Sequence, residues 1–239
     1  MLALKLANSI TQLGKTGFNL FSLLFTATDE SVTLPSGLNS DINTSKGTIS
    51  FWTQVRTMSA SGVFFKVITA TNDNLLNLFY HASNNQVTFS YKGGGTLKSV
   101  VISDNIENDS KWHNVIVTWD TTADELKIYL DGTLKQTQTG LGTFSGAVTG
   151  SSIGNNAAGG GYVNAYISNF AIFSAVKSVN QLYANGQSPL DYTGMAGLYG
   201  YYKFDEGSGE TAADSSGKGR NASLINSPAW TTVVPYKAN

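Results

Sequence analysis

The sequence predicts an all-β protein built as a sandwich of two antiparallel sheets. The run over 111–135 is the clearest evidence, because Val115, Val117 and Trp119 alternate there with polar neighbours. Alternate side chains of a strand lie on opposite faces of a sheet, so this sheet has one apolar face that must pack against a second sheet. The length of 239 residues suits one large all-β domain of roughly 200–250 residues.

The same run predicts a meander of three strands. After a polar turn, apolar and polar residues alternate again over 126–130, and an Asp-Gly pair at 131–132 supplies the two positive-φ residues of a tight hairpin turn. A third strand is predicted over 133–139. Ile128, in the middle of the second strand, should therefore be buried between the sheets near Val117.

Similar runs before the meander predict further strands, separated by turns rich in Gly, Pro and Asn. A turn is expected over 15–17, another over 35–37, and a hairpin loop over 83–85. The predicted strands lie at 2–6, 20–26, 31–34, 49–55, 63–68, 75–81, 86–91 and 100–103.

The C-terminal half begins with a loop over 140–161 that is dense in glycine and contains one short strand at 151–154. A long strand follows over 163–173. Ser178 is predicted as the N-cap of a short helix that ends at Gly186, with Val179, Leu182 and Tyr183 on one face. This is the one helix expected in the chain.

Several motifs together resemble laminin G-like domains, which have the concanavalin A-like lectin/glucanase fold. They are Trp-His at 112–113, Thr-Trp-Asp at 118–120, Tyr-Leu-Asp-Gly at 129–132, TISFWTQV at 48–55, ISNFAIF at 167–173 followed by QLYANG, and YYKFDEGSGETAADSSGKGRNASL at 201–224. The resemblance covers most of the chain from about Leu24 onward. It implies a jelly-roll sandwich of two antiparallel sheets, with about six strands each and one short helix, in a single domain over 1–239.

The position of one motif leaves two alternatives open. In many relatives the Phe-Asp-Glu-Gly-Ser-Gly and Asp-Ser-Ser-Gly stretch opens the domain, whereas here it lies near the end, at 204–217. It either completes one closed sandwich or begins a truncated second copy. We favour the first interpretation, because the termini of a sandwich tend to lie close together and an orphan strand pair would be unstable.

Composition excludes several classes of function. The chain has no cysteine, which excludes disulfides, thiol catalysis and zinc bound by cysteine, and its two histidines leave little material for a His-based site. Charged residues make up 13%, against roughly 25% in an average globular protein, and the net charge is −1. We therefore expect no nucleic-acid partner and no attraction to anionic membranes. No apolar run approaches the roughly 18 residues of a membrane-spanning helix.

The carboxylates do not follow the catalytic pattern that the resemblance would imply. Glycosidases need two carboxylates about 5–9 Å apart, and enzymes of this fold carry them as Glu-x-Asp-x-x-Glu on one strand. That run is absent, and the acidic pairs at 124–125 and 205–206 lie at turns. We expect a protein that is not an enzyme.

Calcium is the stronger chemical hypothesis, because the resemblance implies a structural ion held by Asp205, Glu206 and Asp214. Relatives often add an acid where this chain has Ser168 and Asn169. The alternative is a turn in which Asp214 bonds nearby backbone groups. No other cofactor is expected.

Sugar binding commonly uses exposed aromatic rings beside amide and hydroxyl groups. The candidates are Tyr162, Tyr166, Tyr199 and Tyr201, each with half-buried packing as its alternative. The four tryptophans at 52, 112, 119 and 230 are expected in the core or at sheet edges. His113 is expected to be a packing residue with one satisfied ring nitrogen.

These observations favour a binding or assembly protein. A polar, weakly charged surface is typical of β-rich adhesive and virion proteins, and Lys5 and Asn8 interrupt what would be the apolar part of a signal peptide. We expect a bacteriophage surface component (a capsid decoration, head fibre or tail protein) that contacts other virion proteins, copies of itself and cell-surface glycans. The alternatives are an extracellular carbohydrate-binding module of a secreted bacterial protein and a glycoside hydrolase of the same fold.

Overall fold

The computed structural model describes residues 19–26, 28–71, 73–156, 159–183 and 189–235. Within these residues the strands are β1 (Ser22–Thr26), β2 (Ser31–Thr33), β3 (Lys46–Val55), β4 (Gly62–Thr69), β5 (Leu75–His81), β6 (Gln86–Gly93), β7 (Thr96–Ile102), β8 (His113–Asp120), β9 (Glu125–Leu130), β10 (Thr133–Gln138), β11 (Val148–Ile153), β12 (Asn164–Phe173), β13 (Leu198–Tyr202), β14 (Thr211–Ala212), β15 (Ala222–Ile225) and β16 (Ala229–Thr231). The helices are α1 (Ser36–Asp41) and α2 (Val179–Leu182).

The strands form two antiparallel sheets of eight strands each. Sheet A has the order β10-β9-β8-β3-β12-β1-β16, and β13 pairs with the half of the β12 edge that β1 leaves free. Sheet B has the order β14-β15-β2-β11-β4-β5-β6-β7. The all-β sandwich predicted from the sequence is confirmed, as is the antiparallel meander of β8, β9 and β10.

The core lies between the two sheets and is built from the alternating apolar residues. Ile128 is fully buried and lies opposite Val117 across the β8–β9 ladder, so the predicted inward face of the meander is correct. Aromatic rings of both sheets meet at the centre, where Phe51 of sheet A packs 5.4 Å from Phe64 of sheet B, between ring centroids. Such interdigitated apolar side chains supply most of the stability of a two-sheet fold.

The outer face of sheet A is covered at one end by the segment after β12, of which the structure describes 174–183, containing α2, and 189–198. Its Leu182 and Tyr192 are buried against Ile116 and Phe173 of the sheet and form a second, smaller apolar cluster. Ser178 is the N-cap of α2, and its backbone N–H donates to Gln181 Oε1 at 3.1 Å. The helix that the sequence predicted is therefore present, and it divides this face into a covered end and an open end.

The structure adds elements that the sequence did not predict. A turn was expected over 35–37, but α1 forms there, and its Leu38 is fully buried. Six residues are too few to show a helical period, so tertiary packing decides this helix. The short strands β14, β15 and β16 were not predicted either, and each sheet has eight strands where about six were expected.

The C-terminal segment contributes to both sheets. In sheet A, β13 pairs with β12 and β16 pairs with β1. In sheet B, β15 pairs with β2 and carries β14 on its other side. The segment that contains the Phe-Asp-Glu-Gly-Ser-Gly motif thus completes the ladders of strands from the N-terminal part of the chain.

Three predictions fall outside the described residues: the strand over 2–6, the turn over 15–17 and the helix stop at Gly186. Within the described part of the chain, no helix combines the length and apolar character needed to cross a membrane.

Candidate functional site

A polar cleft of about 190 Å³ lies at the open end of the outer face of sheet A. Strands β3 and β12 form its floor, because Gln54 lies opposite Tyr166 in their antiparallel register. Inward residues of these strands enter the core, which leaves their alternate residues on the outer face. The cleft is lined by Gln54, Val55, Arg56, Asn108, Ser110 and Tyr166.

Aromatic and cationic groups lie on one wall of the cleft. The guanidinium carbon of Arg56 lies over the Tyr166 ring, 5.9 Å from its centroid. The indole of Trp112 packs on the same tyrosine at 6.2 Å between ring centroids, tilted by 45°. Next to the cleft on the same face, the rings of Trp52 and Tyr183 stack with their centroids 6.0 Å apart, and Tyr183 belongs to the covering segment. The wall is therefore half-buried and held by ring contacts rather than free to rotate.

The opposite wall is a loop in an unusual backbone conformation. Asn108 and Ser110 have φ values of 54° and 60°, in the left-handed region that non-glycine residues rarely adopt. The Asn108 N–H donates to the Val55 carbonyl at 2.9 Å, and the Lys111 N–H donates to Asp109 Oδ1 at 2.9 Å. Asparagine tolerates this region better than most residues, so Ser110 is the more strained of the two.

His113 anchors this loop to the β9–β10 turn. Its Nε2 lies 2.9 Å from Asp109 Oδ2, and its Nδ1 lies 2.7 Å from Asp131 Oδ2. Asp131 also accepts the Asn114 N–H at 2.8 Å. Burial lowers the pKa of His113, but the hydrogen bonds and negative charges of both aspartates outweigh it, so the pKa is raised. The expectation of one satisfied nitrogen is wrong, because both nitrogens contact carboxylates and favour the imidazolium form.

The acids near the cleft are not among its lining residues and contact other groups. Glu107 Oε1 accepts the Met58 N–H at 2.8 Å, and its Oε2 accepts the Tyr80 hydroxyl at 2.8 Å. Asp104 pairs with Lys135 at 2.9 Å. Within the described ranges, no carboxylate forms an ion pair with Arg56. The cleft therefore has a positive group and neutral hydrogen-bonding groups.

The four tyrosines predicted from the sequence do not form one surface. Tyr166 lies in the cleft, and Tyr162 is half-buried just before β12. Tyr199 lies beneath Arg220, and its carbonyl accepts from the guanidinium at 3.0 Å. Tyr201 is fully buried, and its hydroxyl donates to Asn169 Oδ1 at 2.7 Å. We therefore withdraw Tyr201 as a sugar-binding residue, because a ring without exposed surface offers no platform.

The predicted calcium ligands each bond backbone groups. Asp205 Oδ1 accepts the Phe21 N–H at 3.0 Å, and Glu206 Oε1 accepts the Ala213 N–H at 3.0 Å. Asp214 accepts four donors: the N–H groups of Tyr201, Ser216 and Arg220 and the Ser216 hydroxyl. The residues described here contain no group of three or more acidic or histidine side chains placed to hold a metal ion. The geometry follows the turn alternative, and calcium binding stays a prediction.

Sequence reasoning missed most of the cleft. Trp112, expected in the core or at a sheet edge, lies just before β8 and packs on the cleft residue Tyr166. Gln54 and Arg56 alternate with inward residues of β3, so the period of the strand places them on the outer face. The sequence did not show that residues 174–183 and 189–198 cover one end of that face and leave the other end open.

Residues 26–183 match the family model of the concanavalin A-like lectin/glucanases superfamily, which is more than half of the chain. The protein therefore belongs to this superfamily, as the sequence motifs indicated. No sequence among curated proteins matches the chain.

Solved structures with low sequence identity share the fold. A candidate carbohydrate-binding protein from Bacteroides ovatus is 17% identical, with a TM-score of 0.67 over 92% of this chain and 61% of its own. The NanB sialidase of Streptococcus pneumoniae is 10% identical, with a TM-score of 0.58 over 74% and 29%. Domains LG4-5 of the mouse laminin alpha1 chain are 14% identical, with a TM-score of 0.52 over 65% and 42%. This chain thus spans less than two thirds of each of these three proteins.

Proposed function

We propose that this member of the concanavalin A-like superfamily is a non-catalytic glycan-binding protein, and that the cleft between β3, β12 and the loop 105–111 is its binding site. The observation that carries the proposal is the convergence of an aromatic wall with amide, hydroxyl and guanidinium groups in one concave place. Sugars present hydroxyl groups around apolar ring faces, so they match such a surface.

The rigidity of the cleft supports binding. Trp112 and Arg56 fix Tyr166, while His113 and its two aspartates fix the loop that carries Asn108 and Ser110. A site that is already ordered loses less conformational entropy when a ligand binds, which raises the affinity obtained from a few contacts. The printed description of the Bacteroides ovatus protein as a candidate carbohydrate-binding protein agrees with this function.

The carboxylates near the cleft favour binding over hydrolysis. Glu107 and Asp109 are the acids of the loop, but neither lines the cleft, and their carboxylates bond Met58, Tyr80 and His113 instead. A glycosidase needs one carboxyl on each side of the scissile bond. We expect no reducing sugar above a blank from β-glucans, agar or bacterial polysaccharides. Hydrolysis that Asp109→Asn abolishes would overturn the non-catalytic assignment.

Binding to an array of immobilised oligosaccharides tests the site, followed by titration of the best ligands. Tyr166→Ala should weaken binding by about tenfold or more, equivalent to about 1.4 kcal/mol. Tyr162→Ala is the matched control, because this tyrosine lies outside the cleft lining and should leave affinity unchanged. Melting of each variant confirms that it folds. Equal losses in both variants, or no glycan binding at all, would contradict the proposal.

For the biological setting we propose the surface of a bacteriophage particle, where the protein would contact neighbouring virion proteins or copies of itself. The low content of charged residues, 13%, supports a surface of polar uncharged groups suited to assembly. Mass spectrometry of purified particles should detect the chain in fixed stoichiometry. Its recovery from culture medium within a longer secreted polypeptide would favour the extracellular carbohydrate-binding module instead.

A further inference from the structure

Arg56 has a feature that the glycan-binding assignment does not use. It is an exposed cation in the cleft, and its described contacts are with neutral groups. Its guanidinium lies over Tyr166, and its Nη1 donates to Asn164 Oδ1 at 3.4 Å, a long hydrogen bond. The remaining N–H donors of the planar group are free to bind a ligand, because an arginine carries five.

Among the described residues, no carboxylate forms an ion pair with Arg56. Acids do lie near this end of sheet A, but each already has partners. Asp109 and Asp131 share His113, Glu107 holds Tyr80 and the Met58 N–H, and Asp104 pairs with Lys135. The other side chains that line the cleft are neutral. An anion that enters the cleft therefore meets a guanidinium that no described carboxylate pairs with, although Glu107, Asp109 and Asp131 together carry more negative charge nearby than His113 neutralises.

We infer that the cleft selects saccharides that carry a carboxylate, as uronic and sialic acids do, with Arg56 as the partner of that group. This inference rests on the proposed function and names its ligand class. The guanidinium fork matches a carboxylate with two parallel hydrogen bonds, which are stronger and more directional than bonds to neutral hydroxyls. The cation–π contact with Tyr166 holds the guanidinium of Arg56 in the cleft.

The test compares ligands that differ only in charge. Sialyl, glucuronyl, galacturonyl and mannuronyl oligosaccharides are each titrated beside their methyl esters, which keep the sugar ring and remove the negative charge. We expect at least one acidic form to bind ten times or more tightly than its ester. Because one partner is a solvent-exposed cation, that preference should decrease as salt is raised from 50 to 500 mM.

Variants assign the preference to one side chain. Arg56→Gln should remove the difference between acid and ester, and Arg56→Lys should retain only part of it because an ammonium lacks the planar fork. Lys111→Gln is the matched control: it removes one positive charge from the same loop but not from the cleft lining. It should leave the ratio of affinities unchanged.

The outcomes separate the two proposals. If neutral glycans bind in a Tyr166-dependent way and the esters bind as well as the acids, the carboxylate inference is wrong and the glycan site stands. If no oligosaccharide of either kind binds, both proposals fail. If Lys111→Gln and Arg56→Gln reduce the preference equally, the attraction is a general surface effect and the assignment to Arg56 is wrong.

Discussion

Two arginine–tyrosine pairs in this molecule have the same local geometry and different surroundings. Arg56 lies over Tyr166 and Arg220 lies over Tyr199, each with its guanidinium carbon 5.9 Å from the ring centroid. Arg220 also donates to the Tyr199 carbonyl at 3.0 Å and pairs with Asp41 at the end of α1. Arg56 has no such acid among the described residues.

Under the proposed function, the difference separates a structural contact from a binding contact. Arg220 connects α1, β13 and the C-terminal loop, so its charge is neutralised and its donors are used inside the protein. Arg56 keeps its charge and most of its donors for solvent or a ligand. A cation–π pair seen alone would not distinguish these roles. The groups around the pair decide whether it stabilises the fold or binds a partner.

The largest effect should come from the loop that supports the Arg220 pair. Asp214 accepts four donors there, including the Arg220 N–H at 3.0 Å. Asp214→Ala removes all four bonds and should lower the free energy of unfolding by about 2–4 kcal/mol, since hydrogen bonds to charged groups are worth about 1.5–3 kcal/mol each and are not additive. Urea denaturation measures the loss. A change below about 0.5 kcal/mol would show that Asp214 is an ordinary surface residue.

The same substitution at the two arginines should have opposite effects on stability and on ligand binding. Arg220→Gln should reduce stability by about 1–2 kcal/mol, because a bond to a carboxylate and one to a carbonyl are lost. Arg56→Gln should change it by less than about 0.5 kcal/mol while reducing binding of acidic glycans. Denaturation and titration on both variants check this pattern. Equal stability losses would mean that Arg56 is also part of the structural framework.

The anchor of the cleft loop should make stability depend on pH. The folded-state pKa of His113 is raised above its unfolded value of about 6.5. The contribution of protonated His113 to the free energy of unfolding is therefore fully present below about pH 6.5. It is lost as pH rises through the folded-state pKa. Melting between pH 6 and 9 should show a decline in the native protein that is smaller in His113→Gln. Parallel curves for the two proteins would rule out this role.

The smallest effect is expected for calcium. The oxygens of Asp205, Glu206 and Asp214 already accept backbone donors, so an ion would have to compete with these bonds. We expect the melting temperature to change by less than about 1 °C between calcium and chelator, whereas about 1 kcal/mol would shift it by several degrees. A shift of several degrees that disappears in Asp214→Ala would establish the site that the resemblance implied.

Long alternating segments of the fold could be predicted from the sequence, whereas short elements and the cleft could not. Alternation along 111–135 predicted both the meander and the burial of Ile128, because period-two patterns are local and the inward face must be apolar. The helix α1 and the strands β14 to β16 were missed, because two to six residues carry too little pattern.

The sequence by itself determined the two-sheet sandwich, the superfamily and the absence of cysteine chemistry, since these follow from alternation, motifs and composition. Only the tertiary structure decided which surface could bind. It buried Tyr201, paired the cation above Tyr199 with an acid and, among the described residues, left the cation above Tyr166 without an ion pair. Exposure and charge compensation depend on segments far apart in the chain, such as Asp41 and Arg220, and no local pattern encodes which of them meet.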